Sequence, residues 1–97
     1  MDKTVMFDVD GTLIDKAGKP LMAQIKRYTD MQKQGYKMGV WSRAGEKHAK
    51  DVMSKFGLKG TTAPKASFKP DIAYDNDEPN MGKETIKVGI PTIRGRL

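Results

Sequence analysis

The apolar run Val5–Phe7 ends abruptly in two aspartates, and this feature constrains the fold of the chain more than any other. The run is typical of a buried strand, and it stops at the segment Asp8–Thr12, which reads Asp-Val-Asp-Gly-Thr. Gly11 permits a sharp turn there. Because a turn breaks the strict alternation of side chains, Asp8 and Asp10 can share one site. Such a pair can attack, transfer protons and hold a divalent cation, and the simpler alternative is an Asp-Gly turn with a capping aspartate.

Strands and helices are predicted to alternate along the rest of the chain. Residues 13–19 form a polar connection that turns at Gly18. The predicted elements are then a helix from Pro20 to Gln34 with Gly35 after it, a strand at 36–41, a helix at 44–56 closed by Gly57, a short strand at 58–62, a strand at 72–74, a short helix at about 80–87 and an edge strand at 89–93.

This alternation favours one α/β domain, residues 1–97, built on a mainly parallel sheet. Ligands of such sheets bind where the strands end at their carboxyl edge. Asp8 and Asp10 follow the first predicted strand, Ser42 follows the second and Asp75 follows the fourth. The sequence therefore predicts a polar site at one edge of the sheet.

Composition limits the compartment and the kinds of partner that are expected for this protein. The chain has no cysteine, which excludes disulfides and thiolate metal sites, and no apolar run approaches the ~20 residues of a membrane span. A cytoplasmic location without a membrane partner is expected. The net charge is +6, and residues 43–69 hold seven basic and two acidic side chains. This segment suits a polyanionic partner such as nucleic acid, and equally a solvated lysine-rich face.

The segment Asp8–Thr12 after its apolar run resembles the first motif of the haloacid dehalogenase (HAD) superfamily of phosphotransferases. The resemblance covers nearly the whole chain and implies a Rossmann-like three-layer sandwich. It makes Asp8 the nucleophile that forms an aspartyl-phosphate. It makes Asp10 the group that protonates the leaving oxygen and then activates the water. A second aspartate at this position favours a phosphatase or a phosphomutase over dehalogenase or ATPase chemistry.

The second and third motifs of the family supply a hydroxyl and a lysine. Ser42 matches the hydroxyl, which can donate to a phosphoryl oxygen; taken alone it would be read as the N-cap of the following helix, and it could do both. With Arg43 and a lysine it would bind the phosphate. Lys65 and Lys69 are both available, and Lys65 is preferred because it follows the third strand and should lie at the active edge.

The fourth motif is acidic, and Asp75 with the residues after it resembles it. A Mg²⁺ ion would be held by Asp8, the carbonyl of Asp10, Asp75 and Asn76. Many relatives carry two adjacent acids here, whereas this chain has Asn76, so Asp77 is an alternative ligand. In isolation the same residues would be read as a turn.

In the family the first strand is central, and the fourth lies on its opposite side from the second and third. The third and fourth strands are then three spacings of about 4.8 Å apart. Residues 65–71 span about 20 Å at full extension, so they must cross the sheet nearly straight and without a helix. Pro70 supports this, because the residue before a proline avoids helical geometry.

HAD enzymes often carry a cap domain inserted soon after the first motif or after the second strand. Here only about seven residues separate Thr12 from the first predicted helix, so the resemblance implies a capless, open site. An open site suits a large substrate, such as a nucleic-acid end, although a nucleotide, a sugar phosphate or a phosphoprotein is also compatible. Two other classes remain open: a binding or regulatory module that has lost turnover, which Asn76 would favour, and a nucleic-acid-binding protein without catalysis. His48 is expected to be exposed and without a role, and Trp41 to pack on the sheet.

Overall fold

A five-stranded parallel sheet carries the fold in the computed structural model, which describes residues 2–89. The elements are β1 (Thr4–Asp8), α1 (Met22–Lys33), β2 (Lys37–Trp41), α2 (Glu46–Phe56), β3 (Thr61–Thr62), β4 (Ile72–Asp75) and β5 (Glu84–Lys87). Their order in the sheet is β3-β2-β1-β4-β5, and every pairing is parallel. The predicted α/β class and parallel sheet are confirmed, with β1 at the centre.

Both helices pack on one face of the sheet. Alternate residues of β1, Val5 and Phe7, belong to the same buried cluster as Ile25 of α1 and Val52 of α2. The ring of Phe7 stacks on Tyr74 with 4.4 Å between centroids. This face holds the larger core, because the apolar stripes of two helices and every second residue of the strands meet there.

The opposite face is covered by irregular chain within residues 2–89. Met6, Trp41 and Ala73 form a second, smaller cluster there, against which Ala63 and Met81 pack. Residues 63–71 cross this face from β3 to β4 without a helix, as the strand spacing predicts. The connections through α1 and α2 lead along the sheet from β1 toward β3, whereas this one leads back toward β4. Because all crossovers between parallel strands have the same hand, connections in opposite directions lie on opposite faces.

The register of the strands brings their carboxyl ends level. Asp8 pairs with Trp41, the last residue of β2, so Ser42 comes one residue beyond. Phe7 pairs with Tyr74, so Asp75 ends β4 beside Asp8. The polar residues that follow three strands therefore meet at one edge.

Both helices begin two residues later than predicted, α1 at Met22 and α2 at Glu46. Pro20 is not the first residue of α1; it forms an antiparallel bridge with Ile14, and the amide of Leu21 donates to Leu13 at 2.8 Å. The chain is therefore held in extended pairing until the helix begins at Met22. The connection before it is also less polar than expected, because Leu13 and Ile14 are buried.

The predicted helix at 80–87 is wrong, because residues 84–87 form β5 and pair with β4. Thr85 and Ile86 are β-branched, which suits a strand. The hydroxyl of Thr85 accepts hydrogen bonds from the amides of Met81 and Gly82, so these donors serve a turn and not a helix. β3 is also shorter than the predicted strand at 58–62, and most of the expected strand at 89–93 lies outside the described residues.

Within residues 2–89, neither helix has the length and apolar character that crossing a bilayer would require.

The tight approach of Gly82 to β4 gives a test of this topology. A Cβ at position 82 would lie 2.9 Å from the amide nitrogen of Ala73 and 3.0 Å from the carbonyl oxygen of Pro70, both backbone atoms. We expect Gly82→Ala to lower the free energy of unfolding by about 2 kcal/mol, since backbone cannot move aside as a side chain can. Urea denaturation measures this. Gly89→Ala is the control, because a Cβ there meets no described atom within 4 Å; equal losses for both variants would contradict the placement of β5.

Candidate active site

The ammonium group of Lys65 lies among three carboxylates at the carboxyl edge of the sheet. Its Nζ is 3.1 Å from Asp8 Oδ1, 2.7 Å from Asp75 Oδ2 and 2.8 Å from Glu78 Oε2. The Lys65 side chain is only 4% exposed. A buried cation is costly unless it is paired, so these contacts fix the lysine firmly beside Asp8. We refer to Lys65 and its three acidic partners as the lysine cluster.

A tight turn directs Lys65 into the cluster. The amide of Ser67 donates to the carbonyl of Pro64 at 3.0 Å, and Ala66 in the turn has a φ of +66°. Lys69, the alternative considered from the sequence, is exposed on the crossing segment. The structure thus brings Lys65 to Asp8 across 57 residues of chain, and its catalytic role stays a prediction.

Asp75 is fully engaged within the protein. Its Oδ1 accepts hydrogen bonds from the amides of Asp77 and Glu78, each at 2.8 Å, which folds the loop after β4 into a turn around the carboxylate. Its Oδ2 faces Lys65 as an ion pair. The residue is 1% exposed. Asp75 therefore holds the loop and the lysine, while Asp77 lies exposed at the rim.

Glu78 joins the lysine cluster to Arg43. It accepts from Arg43 Nε at 3.0 Å and from Nη2 at 2.6 Å while also contacting Lys65. The hydrogen bonds from Arg43 and then Lys65 lower the pKa of Glu78 to about 2. Sequence reasoning did not single out Glu78; the only signal was its place in the acidic run after β4. Glu78 therefore pairs with both cations that line the cleft, Arg43 and Lys65.

Ser42 lies at the end of β2 and is 4% exposed. It is not the N-cap of α2, which is Gly45, and α2 begins at Glu46 rather than at residue 44. Its Oγ instead accepts a hydrogen bond from the amide of Ala44 at 3.0 Å. Because the hydroxyl uses its lone pair locally, its proton remains available for a ligand.

Asn76 closes the site from the side of the loop. Its side-chain amide lies 3.0 Å from the carbonyl oxygen of Asp10 and 3.2 Å from Asp8 Oδ2, and with its NH₂ turned inward it donates to both. Gly11, with a φ of +81°, makes room for it, since a Cβ at position 11 would overlap the amide. The two loops that follow β1 and β4 are thereby interlocked.

With its oxygen turned inward, the same amide would complete a set of three oxygens, together with Asp8 Oδ2 and the Asp10 carbonyl. Neighbouring ligands of an octahedral Mg²⁺ at 2.0–2.1 Å are about 3 Å apart, and the two spacings from the Asn76 amide, 3.0 Å and 3.2 Å, are of this length. Residues 2–89 hold no group of three or more His, Cys, Asp or Glu side chains placed to bind one metal. Asp75, which the sequence also predicted as a ligand, is held by Lys65 and two backbone amides, so the oxygens that fit the ion are those of Asp8, the Asp10 carbonyl and the Asn76 amide.

The carboxylate of Asp10 projects to the rim, and its side chain is 61% exposed. His48, in the first turn of α2, contacts it with Nε2 3.2 Å from Oδ1. His48 was expected to be exposed, but its side chain is only 35% exposed and lies against Asp10. The sequence places the start of α2 at this edge, since a helix that follows Ser42 begins there, but the contact itself depends on the rotation of the helix.

Burial and repulsion control the ionisation of Asp8. Burial first, and then the negative charge of Asp75, raise the pKa of Asp8 to about 6, although Lys65 acts in the opposite direction. Burial lowers the pKa of Lys65, but the bonds that Lys65 makes to the acids outweigh this and hold that pKa above its usual value. At neutral pH, Asp8 is thus an ionised and poorly solvated carboxylate beside a fixed cation, which suits a nucleophile.

These side chains line one shallow cleft of about 200 Å³: Asp8, Asp10, Ser42, Arg43, Lys65, Asn76, Asp77 and Glu78. All the residues predicted for the site from sequence line this cleft except Asp75, which lies behind it and contacts Lys65. Comparison with protein-family models, with curated proteins and with solved structures gave no match for this chain.

Because the pKa of Asp8 is raised, replacing its carboxylate with a neutral side chain should stabilise the fold at high pH and not at low pH. The folded state holds this proton more tightly than the unfolded chain, so the ionised form costs stability as the pH rises from about 4 to about 6. Asp8→Asn should therefore raise the free energy of unfolding at pH 8 by about 2 kcal/mol, and the gain should vanish near pH 4. Denaturation curves at both values measure it.

Asp51→Asn is the matched control, because the Asp51 carboxylate is exposed on α2. Its effect should stay within about 0.5 kcal/mol at either pH. If Asp8→Asn is instead less stable than wild type at pH 8, the ion pair with Lys65 outweighs burial.

Proposed function

We propose that this chain is a Mg²⁺-dependent phosphomonoester hydrolase of the HAD type that works through an aspartyl-phosphate on Asp8. The observation that carries the proposal is the contact between Lys65 and Asp8, 3.1 Å long and almost fully buried. A buried carboxylate beside a fixed cation, with a second carboxylate two residues on, has the parts that phosphoryl transfer to an aspartate requires.

In the proposed reaction, an oxygen of Asp8 attacks phosphorus and the ester bond to the leaving oxygen breaks. Asp10 gives its proton to that oxygen. Asp10, now ionised, takes a proton from a water that attacks the aspartyl-phosphate, which restores Asp8 and releases phosphate. Lys65 neutralises the phosphoryl oxygens, and the free hydroxyl proton of Ser42 donates to one of them.

Charge supports a need for a divalent ion. The ionised side chains of Asp8, Asp75 and Glu78 outnumber the two cations of the site, Lys65 and Arg43. A phosphate dianion would be repelled by this excess. When bound, Mg²⁺ would supply the missing positive charge, held by Asp8, the Asp10 carbonyl and the Asn76 amide oxygen.

We further propose that the domain is a capless, Rossmann-like HAD fold whose three layers are the helices, the sheet and the irregular chain on the opposite face. An open cleft admits a phosphate at the end of a large molecule. A phosphorylated nucleic-acid end is the first substrate class to screen, because residues 43–69 are rich in lysine and arginine. A nucleotide is the second.

A binding module without turnover is the alternative function. One observation favours it: Glu78 already occupies Lys65 and Arg43, the cations that a substrate phosphate would need. Such a module would bind its ligand without releasing phosphate.

Phosphate release from 4-nitrophenyl phosphate, with and without Mg²⁺, tests the proposed function. Wild type should turn over only with Mg²⁺, and Asp8→Asn should lose activity by at least about 10³-fold, because the carboxylate proposed to form the covalent intermediate is lost. Lys65→Ala should lose about 10²-fold or more, whereas the control Lys69→Ala should keep nearly full activity.

Activity in Asp8→Asn would rule out the nucleophile. A greater loss in Lys69→Ala than in Lys65→Ala would transfer the lysine's role. No release from any phosphorylated substrate, with folded wild type that still binds the ligand, would support the binding module.

The Mg²⁺ site has a separate test by titration calorimetry. Asn76→Ala should weaken Mg²⁺ binding by about tenfold, because one oxygen ligand is lost, and Asn76→Asp should tighten it by adding charge. Asp77→Ala is the matched control at the rim. If Asp77→Ala weakens binding more than Asn76→Ala does, Asp77 is the ligand; wild type that binds no Mg²⁺ contradicts the site.

A further inference from the structure

We infer that His48 is a positioning residue for Asp10, holding the carboxylate that transfers protons in the reaction. The inference rests on the proposed function for its consequence, but the contact itself does not depend on it. His48 Nε2 and Asp10 Oδ1 are 3.2 Å apart, and the two residues are separated by 38 positions in sequence. A carboxylate oxygen only accepts, so the imidazole donates through Nε2.

Asp10 needs such a partner more than the other acids of the site. Asp8, Asp75 and Glu78 are tied to Lys65, whereas the Asp10 side chain is 61% exposed. Within residues 2–89, the contact with His48 is the one hydrogen bond that the structure gives to this carboxylate. Without it, the side chain would be free to rotate away from the cleft.

The first turn of α2 is arranged so that only His48 serves the cleft. Glu46 accepts a hydrogen bond from Thr62 on β3, and Lys47 pairs with Asp51 one turn along the helix. His48 alone of the three points to Asp10. Gly45, with a φ of +106°, turns the chain between Ser42 and the helix, and so brings this turn to the edge of the sheet.

The hydrogen bond occupies one oxygen of Asp10 and leaves the other for the reaction. With Nε2–H on Oδ1, the proton that moves is carried on Oδ2, first toward the leaving oxygen and later from the attacking water. The role of His48 is therefore to fix the orientation of a catalytic group, and it touches neither phosphorus nor the leaving group.

Leaving groups of different acidity separate this role from a structural one. The value of kcat/KM reports formation of the aspartyl-phosphate, which needs a proton from Asp10 when the leaving group is an alkoxide and little help when it is 4-nitrophenolate. We expect His48→Leu to lower kcat/KM by about tenfold for an alkyl phosphate and by less than about twofold for 4-nitrophenyl phosphate. His48→Gln carries an amide NH₂ near the Nε2 position and should restore most of the loss.

Lys47→Ala is the matched control on the same helix turn and should change neither value. Equal losses of His48→Leu on both substrates would overturn the inference, and so would a His48→Gln variant no better than His48→Leu.

A measurement without turnover separates this inference from the proposed function. His48 is the single histidine of the chain, so its imidazole ¹⁵N signals need no assignment. Asp10→Ala should shift the Nε2 signal, because the hydrogen bond is lost, and Asp51→Ala should not. An unchanged Nε2 signal overturns the contact, whatever the activity. A shifted signal in a protein that hydrolyses no phosphate ester would leave the contact standing and contradict both the proposed function and the role of His48 in it.

Discussion

The burial of one ammonium group among three carboxylates organises the carboxyl edge of this sheet. Adjacent parallel strands end in Asp8 and Asp75, and two ionised acids side by side would repel each other in a poorly solvated place. Lys65 removes much of that cost and is itself affordable only because the acids surround it. The charge on each member therefore depends on the others, which makes the lysine cluster a single unit in stability and in chemistry.

The connection from β3 to β4 has two functions that its shortness forces on one segment. The start of this segment brings Lys65 to the edge of the sheet. Further along, the ring of Phe68 covers the ring of Trp41, with 5.4 Å between the two centroids. A helix in this place would cover the face better, but the chain is too short to form one and still reach β4. The helices accordingly lie on one face, and the side chains that define the site come from the strand ends and from the irregular chain around them.

Sequence reasoning succeeded where local chemistry decides the structure. The apolar run before Asp8 predicts β1, and Gly35 and Gly57 end their helices with positive φ, which glycine adopts without strain. It also placed Lys65, and not Lys69, at the edge of the sheet that carries Asp8, as the structure does. It failed at residues 84–87, whose strand exists only because β4 lies beside them, and at His48, whose contact depends on the rotation of α2. Pairing and rotation are set by tertiary packing, so no local pattern predicts them.

The interlock of Gly11 with Asn76 limits how this protein can change over evolutionary time. Any side chain larger than hydrogen at position 11 would displace the amide and would also strain a backbone held at a φ of +81°. Position 76 has no such steric restriction, since a smaller residue there would leave the turn intact and affect only the proposed Mg²⁺ site. Substitutions at the two positions should therefore be tolerated in one order only. Asn76, in the loop after β4, must change first, and Gly11, in the turn after β1, can change only once that space has opened.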